Sequence, residues 1–378
     1  MRIGLVIDRF DPGKGGAERA LALFARAAEA AGHEVLVLAM TASADAPGRL
    51  IRVEVPPAPR GPRDALFAKR AVAAAKRERC DVTIGVRHVV GVDVYWPHGG
   101  VHAETLAAVE RSKGRVGGAV SRALHGISPK QRALLELERR FFENAGRARI
   151  WCVSDLVRRE ILTRWPHCEP LCEVHVNGVD TTAFHPGLRN EHRDRVRRDL
   201  GVPRGAPLLL FLGGAWRLKG WPVLLDALAR IEDEPWFCVA AGARHEPAAA
   251  AVRRAGLASR VRVLARQDPS PLYGAADLLV QPTWRDPCPL STLEALACGI
   301  PVVTTDANGA VVPGPAATSV AAGDAAAFAD AIRERLRTLR DPSSEAGVRA
   351  NARSAVRGER EWTAGLLASL GRAATSSR

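Results

Sequence analysis

Asp286-Pro-Cys-Pro-Leu-Ser-Thr-Leu-Glu294, continued by Ala295-Leu-Ala-Cys-Gly299-Ile-Pro301-Val-Val-Thr-Thr305, reads as a loop, a short helix, a glycine break and a buried strand. Pro287 and Pro289 keep the approach out of a continuing helix. Ser291 and Glu294 have the Ser-x-x-Glu spacing of a helix start. Gly299 and Pro301 stop that helix, and the β-branched run after them predicts a strand. Two acids, Asp286 and Glu294, thus lie near the positive end of a short helix. Free N–H groups at such an end suit an anion, above all a phosphate. One capping box alone would be an ordinary surface helix of an α/β protein.

The surrounding pattern is that of such a protein, twice over. Residues 3–8 read as a buried strand, Pro12-Gly-Lys-Gly-Gly16 as a tight loop, 17–31 as a helix and 34–39 as a second strand. The apolar run before Asp8 is too short for a secretion signal. Strands are also expected at 81–86 and 148–153, with Ser154 capping a helix at 155–164 and a basic helix at 69–79. Turn formers and charges at 186–194 predict a linker. A second series follows: strands at 207–212, 237–241, 261–264, 278–281 and 301–304, with helices at 220–230 and 324–339. An amphipathic segment at 364–373 is expected to return to the first half. Two doubly wound halves bind their ligand beyond the carboxyl ends of the strands, in the cleft between them.

The stretch from Asp286 to Val303 resembles the Glu-x7-Glu signature of retaining glycosyltransferases of family 4, where Ala-Met-Ala-x-Gly-x-Pro-Val follows. Asp286 departs from the family's first Glu, which puts the sugar preference in question. The resemblance implies an α/β GT-B fold of two doubly wound Rossmann-like domains facing a central cleft. It implies an acceptor-side domain over 1–186, a nucleotide-sugar domain over 187–359, and a terminal helix at 360–378 packing back on the first. Gly213-Gly-Ala-Trp-Arg217-Leu-Lys219-Gly220 is similar to the family's Phe-Arg-x-Lys-Gly loop, so Arg217 and Lys219 would hold the donor diphosphate. Two cations there would stabilise the charge that builds on the leaving oxygen. By the same resemblance Gly15 and Gly16 let the diphosphate or sugar approach closely. His98, in Trp96-Pro-His98-Gly99-Gly100, would contact the transferred sugar from an exposed loop; His102 is a poorer candidate. Glu294 would take the ribose hydroxyls and Asp286 the sugar hydroxyls. The backbone of Cys288, Pro289, Leu290 and Ser291 would meet the sugar or diphosphate, and Arg266 would flank the base. No Asp-x-Asp pair appears, so no metal and no cofactor are implied beyond a nucleotide-sugar substrate of the UDP-hexose kind. Asn177-Gly178, a turn by composition, matches the family's Asn-Gly-Val-Asp run. The Arg217 and Asp286 loops look most similar to those of the lipopolysaccharide core glucosyltransferase I group.

Length and composition bound these readings. The 378 residues suit two domains, and 47% hydrophobic with 25% charged content is that of a globular protein. Seven dispersed cysteines offer no zinc pattern and fit a reducing cytoplasm. The net charge of +13 partly reflects an Arg- and Ala-rich composition. It concentrates at 111–149, where Arg111, Lys113, Arg115, Arg122, Lys130, Arg132, Arg139, Arg140, Arg147 and Arg149 face only Glu136, Glu138 and Glu143. That stretch suits an anionic membrane surface, hence a peripheral place on the inner face of the cytoplasmic membrane and a glycan or glycolipid acceptor such as a lipopolysaccharide core. Nucleic acid is not an expected partner, for no motif or aromatic platform supports one. A nucleotide-sugar epimerase of the same fold, and a non-catalytic protein binding a nucleotide sugar or an anionic surface, are the alternatives.

Overall fold

Continuous runs of Val, Ile and Leu, without polar alternation, make strands buried on both faces and therefore parallel sheets covered by helices. The computed structural model describes the chain except for Lys14, Ala243, Arg244, Val312, Pro313, Ser377 and Arg378, and for the side chains of Arg60, His245 and residues 373–376. Lys14 of the expected glycine loop and the last two residues of the expected terminal helix thus lie outside the described residues. The chain forms two compact units, residues 1–178 with 359–378, and residues 179–358.

Unit 1 carries β1 (Arg2–Val6), β2 (Arg9–Phe10), β3 (Glu34–Ala39), β4 (Thr41–Ala42), β5 (Arg49–Arg52), β6 (Val82–Gly85), β7 (Val94–Tyr95), β8 (Arg149–Cys152) and β9 (Cys172–Val174). Its helices are α1 (Gly16–Ala30), α2 (Arg60–Arg77), α3 (His102–Arg111), α4 (Gly114–Ile127), α5 (Pro129–Glu143) and α6 (Asp155–Arg164). Seven strands form one parallel sheet in the order β5-β3-β1-β6-β7-β8-β9. Ser154 caps α6, its hydroxyl accepting from the Val157 N–H at 3.3 Å, as its position before the helix predicts.

Unit 2 contains α7 (Leu188–Asp199), β10 (Leu208–Leu212), α8 (Trp221–Ala229), β11 (Phe237–Ala241), α9 (His245–Arg254), β12 (Val261–Leu264) and α10 (Ser270–Ala275). Then come β13 (Leu278–Gln281), α11 (Leu290–Ala297), β14 (Val302–Thr305), β15 (Ala317–Val320), α12 (Ala325–Arg340) and α13 (Pro342–Ser354). The parallel order is β12-β11-β10-β13-β14-β15. Its core packs Phe211, Trp216 and Trp221 with ring centroids 4.6 to 5.4 Å apart. The linker expected at 186–194 is not one. Residues 188–199 are α7, a very polar helix held by ion pairs to Asp277, between α10 and β13, which a hydrophobic pattern cannot announce.

The last helix, α14 (Glu359–Ser376), returns to unit 1, where it packs on α1 and β6. Trp151 Nε1 donates to Ser369 Oγ at 3.0 Å, and Trp362 lies 5.9 Å from Trp96 between ring centroids. Gly178, read from sequence as part of a turn, has another duty. A Cβ there would stand 2.7 Å from Trp362 Cβ. The backbone must pass that close for α14 to dock. No helix among the described residues is long and apolar enough to cross a membrane.

Gly178→Ala should therefore destabilise unit 1 by about 1–3 kcal/mol through overpacking. Denaturant unfolding monitored by tryptophan fluorescence measures this, and an unchanged midpoint would refute the close-packing role.

Candidate functional site

The loop after β10 is built around one buried side chain. Trp216 is 7% exposed and gives its indole N–H to the Gly213 carbonyl. With Trp216 pinned in the core, Arg217 turns outward to solvent and Lys219 turns inward. Gly220 closes the loop at φ 83°, and a Cβ there would lie 1.8 Å from the Pro282 carbonyl oxygen. Only glycine lets this loop pass against the segment leaving β13. The Leu218 carbonyl then accepts from the Trp284 N–H at 2.8 Å and from Thr283 Oγ1 at 3.1 Å.

The second loop leads to α11. Asp286 is locked by backbone bonds, its N–H to the Ala307 carbonyl and its carbonyl from the Gly309 N–H, both 2.9 Å. Its carboxylate forms an ion pair with Lys219, each side chain less than one-fifth exposed. The sequence points Lys219 toward a diphosphate and Asp286 toward a sugar; in the structure the two pair with each other.

The helix start differs from the expected capping box. Pro289 is the N-cap, and no side chain among the described residues caps α11. Ser291 and Glu294 lie inside the helix, because the second proline delays its first turn. Glu294 is 7% exposed and instead meets the Tyr273 hydroxyl at 2.9 Å. Among the described residues the start of α11 has no side-chain cap, and the Lys219–Asp286 pair belongs to the loops that lead to it, an arrangement suited to an anion. Behind it stands a buried polar lattice. Gln281 donates to the Leu212 carbonyl at 3.1 Å and accepts from Thr292 Oγ1 at 2.9 Å. Asn308 donates to Thr292 and Thr304, both at 3.0 Å. Sequence reading missed Tyr273, Gln281, Thr292 and Asn308. The one available signal was polar residues inside strands and helices that are otherwise apolar. Cys288 and Pro289 are buried at the loop's base, Leu290 is half-buried, and Arg266 lies exposed beyond the end of β12.

In unit 1, Gly15 is the N-cap of α1, and Glu18 reaches back over it. A Cβ on Gly15 would stand 2.5 Å from the Glu18 carboxylate. Gly16 opens the helix. Arg87 lies 3.5 Å from Asp8 and 3.9 Å from Glu18. His98 is not the open-loop residue expected. Its ring packs on Trp96 at 4.4 Å, and Nε2 is buried with no hydrogen-bond partner among the described residues. Burial, aided by Arg87, pushes its pKa down to about 3, so the ring is neutral at ordinary pH.

A cavity of about 330 Å³ opens nearby, lined among others by Asp8, Arg87, His88, Gly100, His102 and Gln131. His102, the poorer candidate by sequence, is thus in a cavity wall, with Nε2 2.8 Å from Gln131. Its backbone N–H and that of Ala103 donate to Glu138, at 2.5 and 3.2 Å. Burial works to raise the Glu138 carboxyl. His88 and these two donors outweigh it and hold the group below its usual range. The stretch at 111–149 is less free in its charge than its composition: Arg139 is bound by Glu136 and Glu143, and Arg140 by Glu136. It exposes apolar surface instead. Val116 (80% exposed), Val120 (55%), Leu124 (55%) and Ile127 (70%) follow one another at helical spacing on α4.

Comparison with known proteins places this arrangement. Residues 14–183 match the family described as Glycosyltransferase Family 4, and residues 206–338 match Glycosyl transferases group 1. The chain belongs to the family-4 glycosyltransferases of GT-B fold. A curated relative, the D-inositol 3-phosphate glycosyltransferase of Xylanimonas cellulosilytica, is 33% identical over 210 residues, 50% of this chain and 48% of that protein. The match thus spans about half the relative's length. Among solved structures, WaaG, a glycosyltransferase involved in lipopolysaccharide biosynthesis, has a TM-score of 0.74 at 22% identity, over 93% of this chain and 94% of that one. Anabaena HepE in complex with UDP and glucose has a TM-score of 0.67 at 19% identity, over 98% and 99%.

The depressed pKa of His98 carries a sign. The folded state resists protonation that the unfolded chain accepts near 6.5, so its contribution is absent above that pH. It then erodes stability progressively as pH falls toward 3. His98→Phe should flatten the stability loss between pH 7 and 5.5 by about 1 kcal/mol. Urea unfolding at both pH values measures it, and identical slopes for the two proteins would refute the burial of a neutral ring.

Proposed function

We propose that this protein transfers a hexose from a nucleoside-diphosphate sugar to a hydroxyl acceptor, with retention at the anomeric carbon. The observation that carries this reading is the meeting of Lys219 and Asp286 beside the uncapped start of α11. An incoming diphosphate competes with Asp286 for Lys219. The exchange gives the phosphate its cation and frees the Asp286 carboxylate for the sugar hydroxyls. Arg217 adds a second charge, and the leading N–H groups of α11 add donors. The bond from the anomeric carbon to the diphosphate oxygen then breaks. The acceptor oxygen bonds to that carbon on the same face, and its proton passes to the departing phosphate oxygen. Glu294, oriented by Tyr273, takes the ribose. UDP is the nucleotide favoured, in line with the ligand of HepE. With two cations at the leaving group the reaction needs no divalent metal.

The acceptor is lipid-linked, of the lipopolysaccharide-core kind, and the protein works at the inner face of the cytoplasmic membrane. Support comes from the apolar stripe of α4 and from exposed Lys113, Arg115 and Arg122 around it. A second reading, a soluble polyol phosphate acceptor, is favoured by the name of the curated relative.

Lys219→Ala and Arg217→Ala should each lower kcat/KM roughly a hundredfold or more while the fold persists. A radiolabelled UDP-hexose assay measures this, with a chelator arm that should leave the rate unchanged. Near-wild-type turnover in both variants would remove the assignment of these residues. Flotation with vesicles rich in phosphatidylglycerol decides the acceptor's setting. Wild type should float, less so in high salt, and Val116→Glu with Leu124→Glu should abolish it without loss of UDP binding. No flotation of wild type would favour the soluble acceptor.

A further inference from the structure

Unit 2 concentrates arginine far from the donor loop. Asp277, 9% exposed in its side chain, receives four guanidinium groups: Arg193 at 2.8 Å, Arg197 at 3.0 Å, Arg189 at 3.1 Å and Arg349 at 3.4 Å. Three of them come from one face of α7, at positions i, i+4 and i+8. Glu345 shares Arg349 at 2.7 Å and Arg189 at 3.3 Å. Four cations therefore face two carboxylates in a partly buried place. Burial first, and neighbouring guanidinium groups after it (Arg349 and Arg193 for Arg189, Arg193 for Arg197), pull both below the usual arginine range.

A cavity of about 550 Å³ opens against this cluster. Arg193, Arg197, Arg198 and Arg204 stand in its wall, and Val202 and Leu339 supply apolar surface. Asp194 and Arg340 also border it, so the excess of positive charge remains. The side chains of Arg198 and Arg204 are exposed and form no hydrogen bond or ion pair among the described residues. The inner arginines are spent on Asp277 and on the carbonyls of Ala275 and Ala206, which structure alone explains. The outer pair has no such duty.

We propose that this cavity binds a small soluble phosphorylated anion, a diphosphate or a phosphate monoester, at a site separate from the donor loop. Guanidinium forks match phosphate oxygens in pairs, and a doubly charged anion balances the excess of the cluster. The cavity lies at the amino ends of the strands. The Leu208 N–H, which begins β10, donates to Asp277 at 2.8 Å, and the donor loop begins where β10 ends. Five residues of strand, roughly 17 Å, separate the two. An occupant thus lies before the start of the strand whose far end leads into Gly213, and it does not compete with a nucleotide sugar.

Isothermal titration with pyrophosphate tests this in an Arg217→Ala/Lys219→Ala background, which disables the donor loop. That protein should bind one pyrophosphate per chain. Adding Arg198→Glu and Arg204→Glu should weaken binding by about tenfold or more. The same two changes in the wild-type background should leave UDP binding and the unfolding midpoint unaltered. Absence of binding in the Arg217→Ala/Lys219→Ala protein, or equal affinity with and without the two reversals, would overturn the site. A parallel flotation arm with phosphatidylglycerol vesicles separates free phosphate from a lipid headgroup. If the reversals release the protein from vesicles but spare pyrophosphate, a soluble ligand is ruled out.

Discussion

Gln281 is wholly buried at the end of β13, and the site hangs from its amide. Its nitrogen donates to the end of β10, its oxygen accepts from α11, and its carbonyl accepts from Thr304 of β14 at 2.7 Å. Asn308 completes the set by donating to the hydroxyls of Thr292 and Thr304. Each of these groups would cost about 1–3 kcal/mol if left unpaired in the interior. The network therefore admits one relative placement of three strand ends and one helix start. It holds an uncapped helix terminus and two charged loops in register without spending the terminus itself. A side-chain cap would have stabilised α11 and occupied the donors that make it useful.

The two charges at that terminus are kept in a state of mutual restraint. Lys219 and Asp286 are both mostly enclosed by their loops, where an unpaired ion is costly. Pairing them removes that cost. The aromatic packing of Trp216 serves the same end mechanically. By burying the middle of the loop, it orients Arg217 and Lys219 in opposite senses, although only one residue separates them. The loop is thus rigid at its centre and charged at its edges.

Much of the arginine that makes the chain basic does not form a basic face. Arg260 donates to the Glu232 carbonyl at 2.8 Å, and its guanidinium stacks 3.9 Å from the Trp236 ring centroid. Arg335 donates to the Pro315 carbonyl at 2.6 Å and to Thr318 at 2.8 Å. Such residues close turns and helix ends, a task for which a long planar donor is well suited. The net charge of +13 is therefore a poor guide to where an anion or a membrane would be met. On α4 the apolar stripe is more telling than the charge count around it.

The parallel-sheet class, the strands β1, β3, β6, β8, β10, β11, β12, β13 and β14, and the two loops that carry Arg217, Lys219 and Asp286 were legible in the chain itself. They follow from local chemistry: continuous β-branched runs, glycine where the backbone turns, and proline where a helix must wait. The amphipathic tail at 364–373 was likewise readable as a helix that docks. What depended on residues distant in sequence was not. Whether Ser291 and Glu294 cap a helix was settled by Pro289 and by Tyr273, whose hydroxyl claims Glu294. Whether 186–194 is a linker was settled by Asp277, which recruits the arginines of α7. The burial of His98 follows from Trp96 and its neighbours, and the need for Gly178 from Trp362. Local sequence determined which segments form elements and which loops carry charge. Tertiary structure alone decided which charges meet, because pairing and desolvation depend on partners that folding brings together from far along the chain.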